Sequence, residues 1–150
     1  MVGSAIEADL KVGSRDCNLT DFASTLQFFA QHRPTQVIHC AAKVGGVWAN
    51  MQQKGDFFRE NILMNTFVIE AARQTGVKKL LAFLSTCVFP DKVEYPLTEA
   101  KIHLGPPHTS NDAYAYAKRM TDVQIRAYRE QYGLQYRSEE RRVGKECRSR

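Results

Sequence analysis

The chain has 150 residues, of which 43% are hydrophobic, and a formal net charge of +5 at pH 7. This length suits one domain with a sizeable core, and the apolar content together with only five prolines excludes a disordered chain. No apolar stretch reaches the roughly 20 residues that span a bilayer, and no signal peptide is recognisable. We therefore expect a cytoplasmic protein without a membrane partner.

The positive charge is concentrated at the C-terminus. Residues 137–150, RSEERRVGKECRSR, hold six of the 21 basic and three of the 16 acidic residues, so 15 basic and 13 acidic residues leave +2 elsewhere. This segment resembles a translated sequencing adapter, and we expect a non-native tail after a domain formed by residues 1–136. The alternative is a basic, non-catalytic interaction fragment or an arginine-rich arm. The nearly balanced charge of residues 1–136 argues against a nucleic-acid partner.

Four cysteines show neither CxxC pairing nor a histidine at zinc-site spacing. We expect free thiols and no metal site. The four are Cys17, Cys40, Cys87 and Cys147.

The first predicted elements are a helix and a strand. TDFASTLQFFAQHRP has Thr20 as its predicted N-cap, and the predicted apolar face comprises Phe22, Leu26, Phe29 and Ala30. The next segment, TQVIHCAA, is typical of a parallel strand covered on both faces. The loop KVGGVWAN follows it.

Three further elements continue the alternation. Helical spacing predicts one long helix from Met51 to Thr75, ended by Gly76. VKKLLAFLS is the next buried strand, and DAYAYAKRMTDVQIRAYREQYG is the last helix, closed by Gly133. Alternating helices and strands predict an α/β fold, a doubly wound parallel sheet of Rossmann-like type. The long loop between Ser85 and Asn111 is then expected to be functional.

Candidate catalytic residues follow the second strand and open the last helix. Tyr114 and Lys118 lie four residues apart, which places them on one helix face, where an ammonium near a phenol lowers its pKa. A hydroxyl from Ser85 could hold a substrate carbonyl oxygen against the tyrosine, which then donates its proton. The trio suits carbonyl reduction or its reverse.

The segments STCVFP, AAKVGG and SNDAYAYAKRM resemble the extended short-chain dehydrogenase/reductases, in particular members that epimerise and reduce a GDP-linked 4-keto-6-deoxy sugar. The resemblance implies NADPH (NADP) as cofactor, a GDP-sugar substrate and a homodimer. It also implies that Ser85, Tyr114 and Lys118 are catalytic and that Cys87 is the acid/base of epimerisation. The implied cofactor-binding residues are Gly3, Arg15, Asp16, Ala41, Ala42, Phe83, Leu84, Ser85, Thr86 and Lys118. The alternative is another nucleotide-sugar epimerase or dehydratase, which binds NAD and does not need Cys87.

The sequence departs from this family at its start. Gly3 matches only the last glycine of the G-x-x-G-x-x-G turn that cradles the pyrophosphate. Only 12 residues separate Gly3 from Asp16, whereas the intervening helix and strand need about 20. We expect that this chain by itself holds NADPH weakly.

A first prediction concerns the chain as it stands. Backbone N–H groups of the glycine-rich turn bind the pyrophosphate, and this chain matches only the last glycine of that turn, Gly3. Purified protein should therefore show no NADPH-dependent turnover of the GDP-linked keto-sugar. Micromolar NADPH should raise its melting temperature little. A stabilisation of several degrees, or turnover above background, would contradict this prediction.

Overall fold

The computed structural model describes residues 2–139. Its three strands are all parallel and lie in the order β1-β2-β3. A parallel sheet with helices packed against it confirms the α/β, Rossmann-like class. In chain order the elements are α1 (Phe22–His32), β1 (Gln36–His39), α2 (Val47–Gln52), α3 (Lys54–Gln74), β2 (Lys79–Phe83), α4 (Asp112–Tyr132) and β3 (Gln135–Glu139).

The core lies between the sheet and the helices α1, α3 and α4. Side chains alternate between the faces of a strand, and the face that carries the paired Val37, Leu80 and Tyr136 packs against all three helices. On the other face, Ile38 of β1 is 47% exposed. In the described residues, helices therefore cover one face of the sheet, whereas the predicted doubly wound fold has helices on both faces. No helix among them is long and apolar enough to cross a membrane.

Helix α1 begins one residue later than predicted and has a different cap. The Asp21 carboxylate, not the Thr20 hydroxyl, accepts the Ser24 N–H at 2.6 Å. The Thr20 hydroxyl instead donates to Asn18 Oδ1. Ala30, predicted on the apolar face, is exposed, because the face turned to the sheet is centred on Phe29.

The predicted single helix from Met51 to Thr75 is two helices, α2 and α3, which meet at Gln53. The loop before α2 folds back onto α3, so that a Cβ on Gly45 would come within 2.8 Å of the Phe57 ring. The Asn50 side chain donates to the carbonyls of Gly45 and Gly46, which holds the loop in this position. The helical spacing of apolar residues does not reveal such a change in direction.

Glycines end the two long helices as predicted. Gly76 follows α3 with φ of 76°, and Gly133 follows α4 with φ of 67°. Residues with a Cβ rarely adopt this left-handed conformation. Each glycine thus lies in the turn between a helix and the strand that follows it.

Strand β3 was not predicted from the sequence. It extends the sheet beside β2, and the Leu84 N–H donates to the Glu139 carbonyl at 2.7 Å. Its sequence, QYRSE, is largely polar, and among the described strands it lies at an edge of the sheet. It runs three residues past the predicted domain boundary at 136. That boundary and the origin of the tail stay predictions, and residues 140–150 lie outside the described residues.

The cap at Gly133 provides a test of the fold. Gly133→Ala should lower the free energy of unfolding by about 1 kcal/mol, because a Cβ disfavours positive φ. The matched control is Gly55→Ala in the first turn of α3, where the added Cβ also meets open space. Because alanine favours the helix, Gly55→Ala should raise stability by about 0.5 kcal/mol. Urea unfolding measures both, and equal effects would contradict the assignment.

Candidate active site

The candidate site lies at the carboxyl ends of β1 and β2. Parallel pairing places His39 at the end of β1 beside Ala82, one residue before β2 ends at Phe83. The loops that leave the two strands therefore begin at the same edge. Ligands of open parallel sheets bind at such an edge.

Lys118 reaches this edge from the second turn of α4. The residue is 2% exposed, and its Nζ donates to the Phe83 carbonyl at 3.1 Å. Burial lowers the pKa of Lys118 to about 8, against the opposing influence of the Cys40 thiol. The ammonium remains mostly charged at neutral pH. Since an ammonium has three N–H donors, the bond to Phe83 leaves two for a ligand.

Ser85, Tyr114 and Cys87 form one group, as the sequence predicts. The Ser85 side chain lies close enough to the Tyr114 phenol to lower its pKa as a hydrogen-bond partner, and the Ser85 Oγ accepts the Cys87 N–H at 3.4 Å. Cys87 lies on a single 3-10 turn, Thr86–Val88, called the Cys87 turn below. The Ser85 hydroxyl therefore links α4 to this turn.

The expected lowering of the Tyr114 pKa is wrong. Burial raises the pKa of the Tyr114 phenol, the nearby Cys87 raises it further, and only the bond from Ser85 opposes them. The Lys118 ammonium does not offset burial, because it is directed to the Phe83 carbonyl. Tyr114 consequently stays protonated at neutral pH, as a proton donor requires.

A buried histidine that sequence reasoning missed lies beside Lys118. His39 Nε2 is 2.9 Å from Asn65 Oδ1, and Asn65 Nδ2 donates to the Ala117 carbonyl at 3.5 Å. The Asn65 oxygen is thus the acceptor, so His39 carries its hydrogen on Nε2. Burial first, and then the charge of Lys118, lowers the pKa of His39 to about 4 against the effect of Asn65.

Asn61, also missed, fixes the loop that follows β1. Its Oδ1 accepts the Lys43 N–H at 3.0 Å, and its Nδ2 donates to the Lys43 carbonyl at 3.0 Å. Ala41 and Ala42 lie half-buried between this clamp and the strand. A sequence signal exists: Asn61 and Asn65 lie one helical turn apart on a face that is otherwise apolar.

The predicted cofactor-binding residues fall into two places. At the strand ends, Phe83 and Leu84 precede the exposed Thr86, and a Cβ on Gly3 would lie 3.6 Å from the Cys40 Cβ. Arg15 and Asp16 are exposed and line a separate open depression. The Asp16 carboxylate there accepts the Gly13 N–H at 2.8 Å.

A cavity of about 280 Å³ opens next to the Cys87 turn. The long loop predicted to be functional supplies most of its wall. Its lining includes Thr86, Cys87, Phe89, Tyr95, His108 and Asn111. Cys87 is a free thiol, as are Cys17 and Cys40, which confirms the prediction for the described cysteines; Cys147 lies outside the described residues.

The parallel sheet and the polar groups at its carboxyl edge define a Rossmann-like α/β domain of the nucleotide-binding class. A profile of the "NAD dependent epimerase/dehydratase family" matches residues 3–138. The chain therefore belongs to this family.

Relatives and solved structures agree with this assignment. A probable GDP-L-fucose synthase of Drosophila melanogaster is 46% identical in an alignment of 149 residues. The match covers 92% of this chain and 46% of that protein. A GDP-L-fucose synthase of Dictyostelium discoideum is 52% identical over 125 residues, 83% of this chain and 39% of that protein. A Naegleria fowleri GDP-L-fucose synthetase bound to NADP is 48% identical, with a TM-score of 0.78 over 87% of this chain and 43% of that one. The chain thus spans less than half the length of these relatives.

The neutral His39 predicts a pH dependence of stability. Its pKa is about 4 in the folded chain and 6.5 without burial, so the unfolded chain takes up the proton first as the pH falls. The stabilisation is complete above pH 6.5 and should decrease by roughly 1.4 kcal/mol per pH unit, about 3 kcal/mol in all, as the pH falls through about 4.

Urea unfolding across this pH range measures the effect. His39→Gln should flatten the dependence, whereas the control His32→Gln, at an exposed histidine of α1, should leave it unchanged. The same slope in His39→Gln as in the unsubstituted chain would rule out His39 as its source.

Proposed function

We propose that this chain is the cofactor-binding part of an NADP-dependent epimerase/reductase that converts GDP-4-keto-6-deoxy-D-mannose to GDP-L-fucose. The supporting observation is the Ser85 hydroxyl, which lies beside the Tyr114 phenol and accepts the Cys87 N–H. It brings a proton donor for reduction and a thiol for epimerisation to one place. The similarity to GDP-L-fucose synthases favours this substrate.

The residues at the carboxyl edge fit a nicotinamide cofactor at its ribose end. The two N–H donors that Lys118 does not use for Phe83 suit the hydroxyls of a ribose. NADPH would supply the hydride for reduction at C4 of the sugar. The proposed cofactor-binding residues are those of the sequence analysis: Gly3, Arg15, Asp16, Ala41, Ala42, Phe83, Leu84, Ser85, Thr86 and Lys118.

Tyr114 is the proposed general acid of the reduction. Because its raised pKa keeps the phenol protonated, it can donate a hydrogen bond to the C4 oxygen and then the proton, as negative charge develops there. Ser85 holds that oxygen. The positive charge of Lys118 at the same edge of the sheet favours the negative charge that develops on that oxygen.

Cys87 is the proposed acid/base of epimerisation. The carbons that flank a ketone carry acidic hydrogens, and a thiolate can take up such a hydrogen as a proton, which leaves a thiol and an enolate. Inversion at that carbon then requires a second acid/base, which protonates the enolate from the opposite face. Cys87 lines the cavity beside the Ser85–Tyr114 pair, so the keto-sugar would be within reach of both groups. A homodimer and a cytoplasmic location complete the proposal.

Cys87→Ser and Tyr114→Phe, in a full-length enzyme that carries this segment, test these roles. Cys87→Ser should slow the incorporation of solvent deuterium at C3 and C5 more than it slows NADPH oxidation. Tyr114→Phe should slow NADPH oxidation about a hundredfold, as expected when a positioned general acid is lost.

Mass spectrometry of the sugar, combined with NADPH absorbance, separates the two steps. The two variants are each other's control, since each should affect mainly one step. If Cys87→Ser slowed both steps equally, its role in epimerisation would be wrong. NAD preferred over NADP, with Cys87→Ser harmless, would instead identify another nucleotide-sugar epimerase or dehydratase.

A further inference from the structure

Arg119 is a buried cation that the proposed reaction does not use. It follows Lys118 in α4, is 4% exposed, and donates from Nε to the Val88 carbonyl at 2.6 Å. Val88 is the last residue of the Cys87 turn. This contact therefore joins the helix that carries Tyr114 and Lys118 to the turn that carries the thiol.

The other end of the turn is held by Ser85. Its Oγ accepts the Cys87 N–H, and its carbonyl accepts the Val88 N–H at 3.0 Å. Ser85 also lies beside the Tyr114 phenol. Both ends of the Cys87 turn thus lie against α4, one beside Tyr114 and the other bonded to Arg119.

The remaining surroundings of Arg119 do not explain why a charged residue is buried there. Its Nη2 is buried without a hydrogen-bond partner, and its guanidinium lies 5.4 Å from the centre of the Tyr116 ring. A buried charge without full pairing costs free energy, and an apolar residue of similar volume is often at least as stable. Tyr116 lies in α4 like Arg119 itself, whereas the bond to Val88 joins the arginine to a different segment of the chain.

We propose that Arg119 is a positioning residue that holds the Cys87 turn against α4. The proposal rests on the proposed function only in giving Cys87 a role in proton transfer. Proton transfer to a carbon requires a narrow range of distances. Arg119 fixes the thiol relative to Tyr114 without touching the substrate.

The test uses the full chain and two measurements that need no turnover. One is the rate at which iodoacetamide alkylates Cys87, followed by peptide mass spectrometry. The other is hydrogen exchange of the Val88 and Phe89 amides, which donate within the turn. In Arg119→Met, loss of a hydrogen bond from a charged donor should accelerate both about tenfold.

Three comparisons separate positioning from general destabilisation. Arg126→Met removes the same charge from an exposed site on α4, where its Nε pairs with Asp122, and should change neither rate. The buried Cys17 is the internal reference, and its alkylation should remain as slow in Arg119→Met as in the unsubstituted chain. Arg119→Lys, which keeps a donor, should restore part of the protection.

Unchanged rates at Cys87, Val88 and Phe89 in Arg119→Met would overturn the proposal, as would equal acceleration at Cys17. If Arg119→Met does not fold, the alkylation and exchange rates are measured in Arg119→Lys instead. Faster exchange that is confined to the Cys87 turn supports the proposal, and exchange as slow as in the unsubstituted chain overturns it. A failure of the deuterium experiment with Cys87→Ser would affect only the proposed function. The two failures are therefore distinguishable.

Discussion

The contact between the Lys118 ammonium and the Phe83 carbonyl is the interaction on which the arrangement of the site depends. A charged group that is 2% exposed requires a polar partner, and the end of β2 supplies one at 3.1 Å. This bond joins α4 to the end of β2. Tyr114, one turn earlier in α4, and Ser85, two residues after Phe83, are then brought together.

Amides within helix α3 extend the same organisation to the loop after β1. Asn65 connects His39 to the backbone of α4, and Asn61 fixes the backbone of Lys43. These polar residues lie in a helix that otherwise packs through apolar side chains. Because a buried amide is costly unless it is hydrogen-bonded, each amide ties one neighbouring segment to the helix. The helix thereby connects the carboxyl edge of the sheet to the loop after β1 and to α4.

Burial also sets the charge of the site. At neutral pH, Lys118 is mostly charged, Tyr114 is protonated, and His39 is neutral. The edge of the sheet therefore carries the positive charge of Lys118 beside a proton donor, with no second cation from His39. Such an environment favours the negative charge that develops on a carbonyl oxygen during reduction.

The sequence by itself determined the order of α1, β1, α3, β2 and α4, the parallel sheet and the two glycine-ended helices, because apolar periodicity and left-handed glycines are local signals. It also indicated that Ser85, Cys87 and Tyr114 belong together, since they follow or face the carboxyl end of one strand. The break at Gln53 was not predictable in this way, because it depends on how Gly45 packs against Phe57. The polar edge strand β3 likewise depends on its pairing with β2.

Only the tertiary structure decided the protonation states and the polar contacts between elements. Spacing within α4 suggested that Lys118 lowers the pKa of Tyr114, yet burial raises it, and burial is set by residues distant in sequence. The partners of His39 and Arg119 are likewise separated from them by 26 and 31 positions. A pattern within one helix or strand contains no information on such distances, because they are fixed only when the elements pack together.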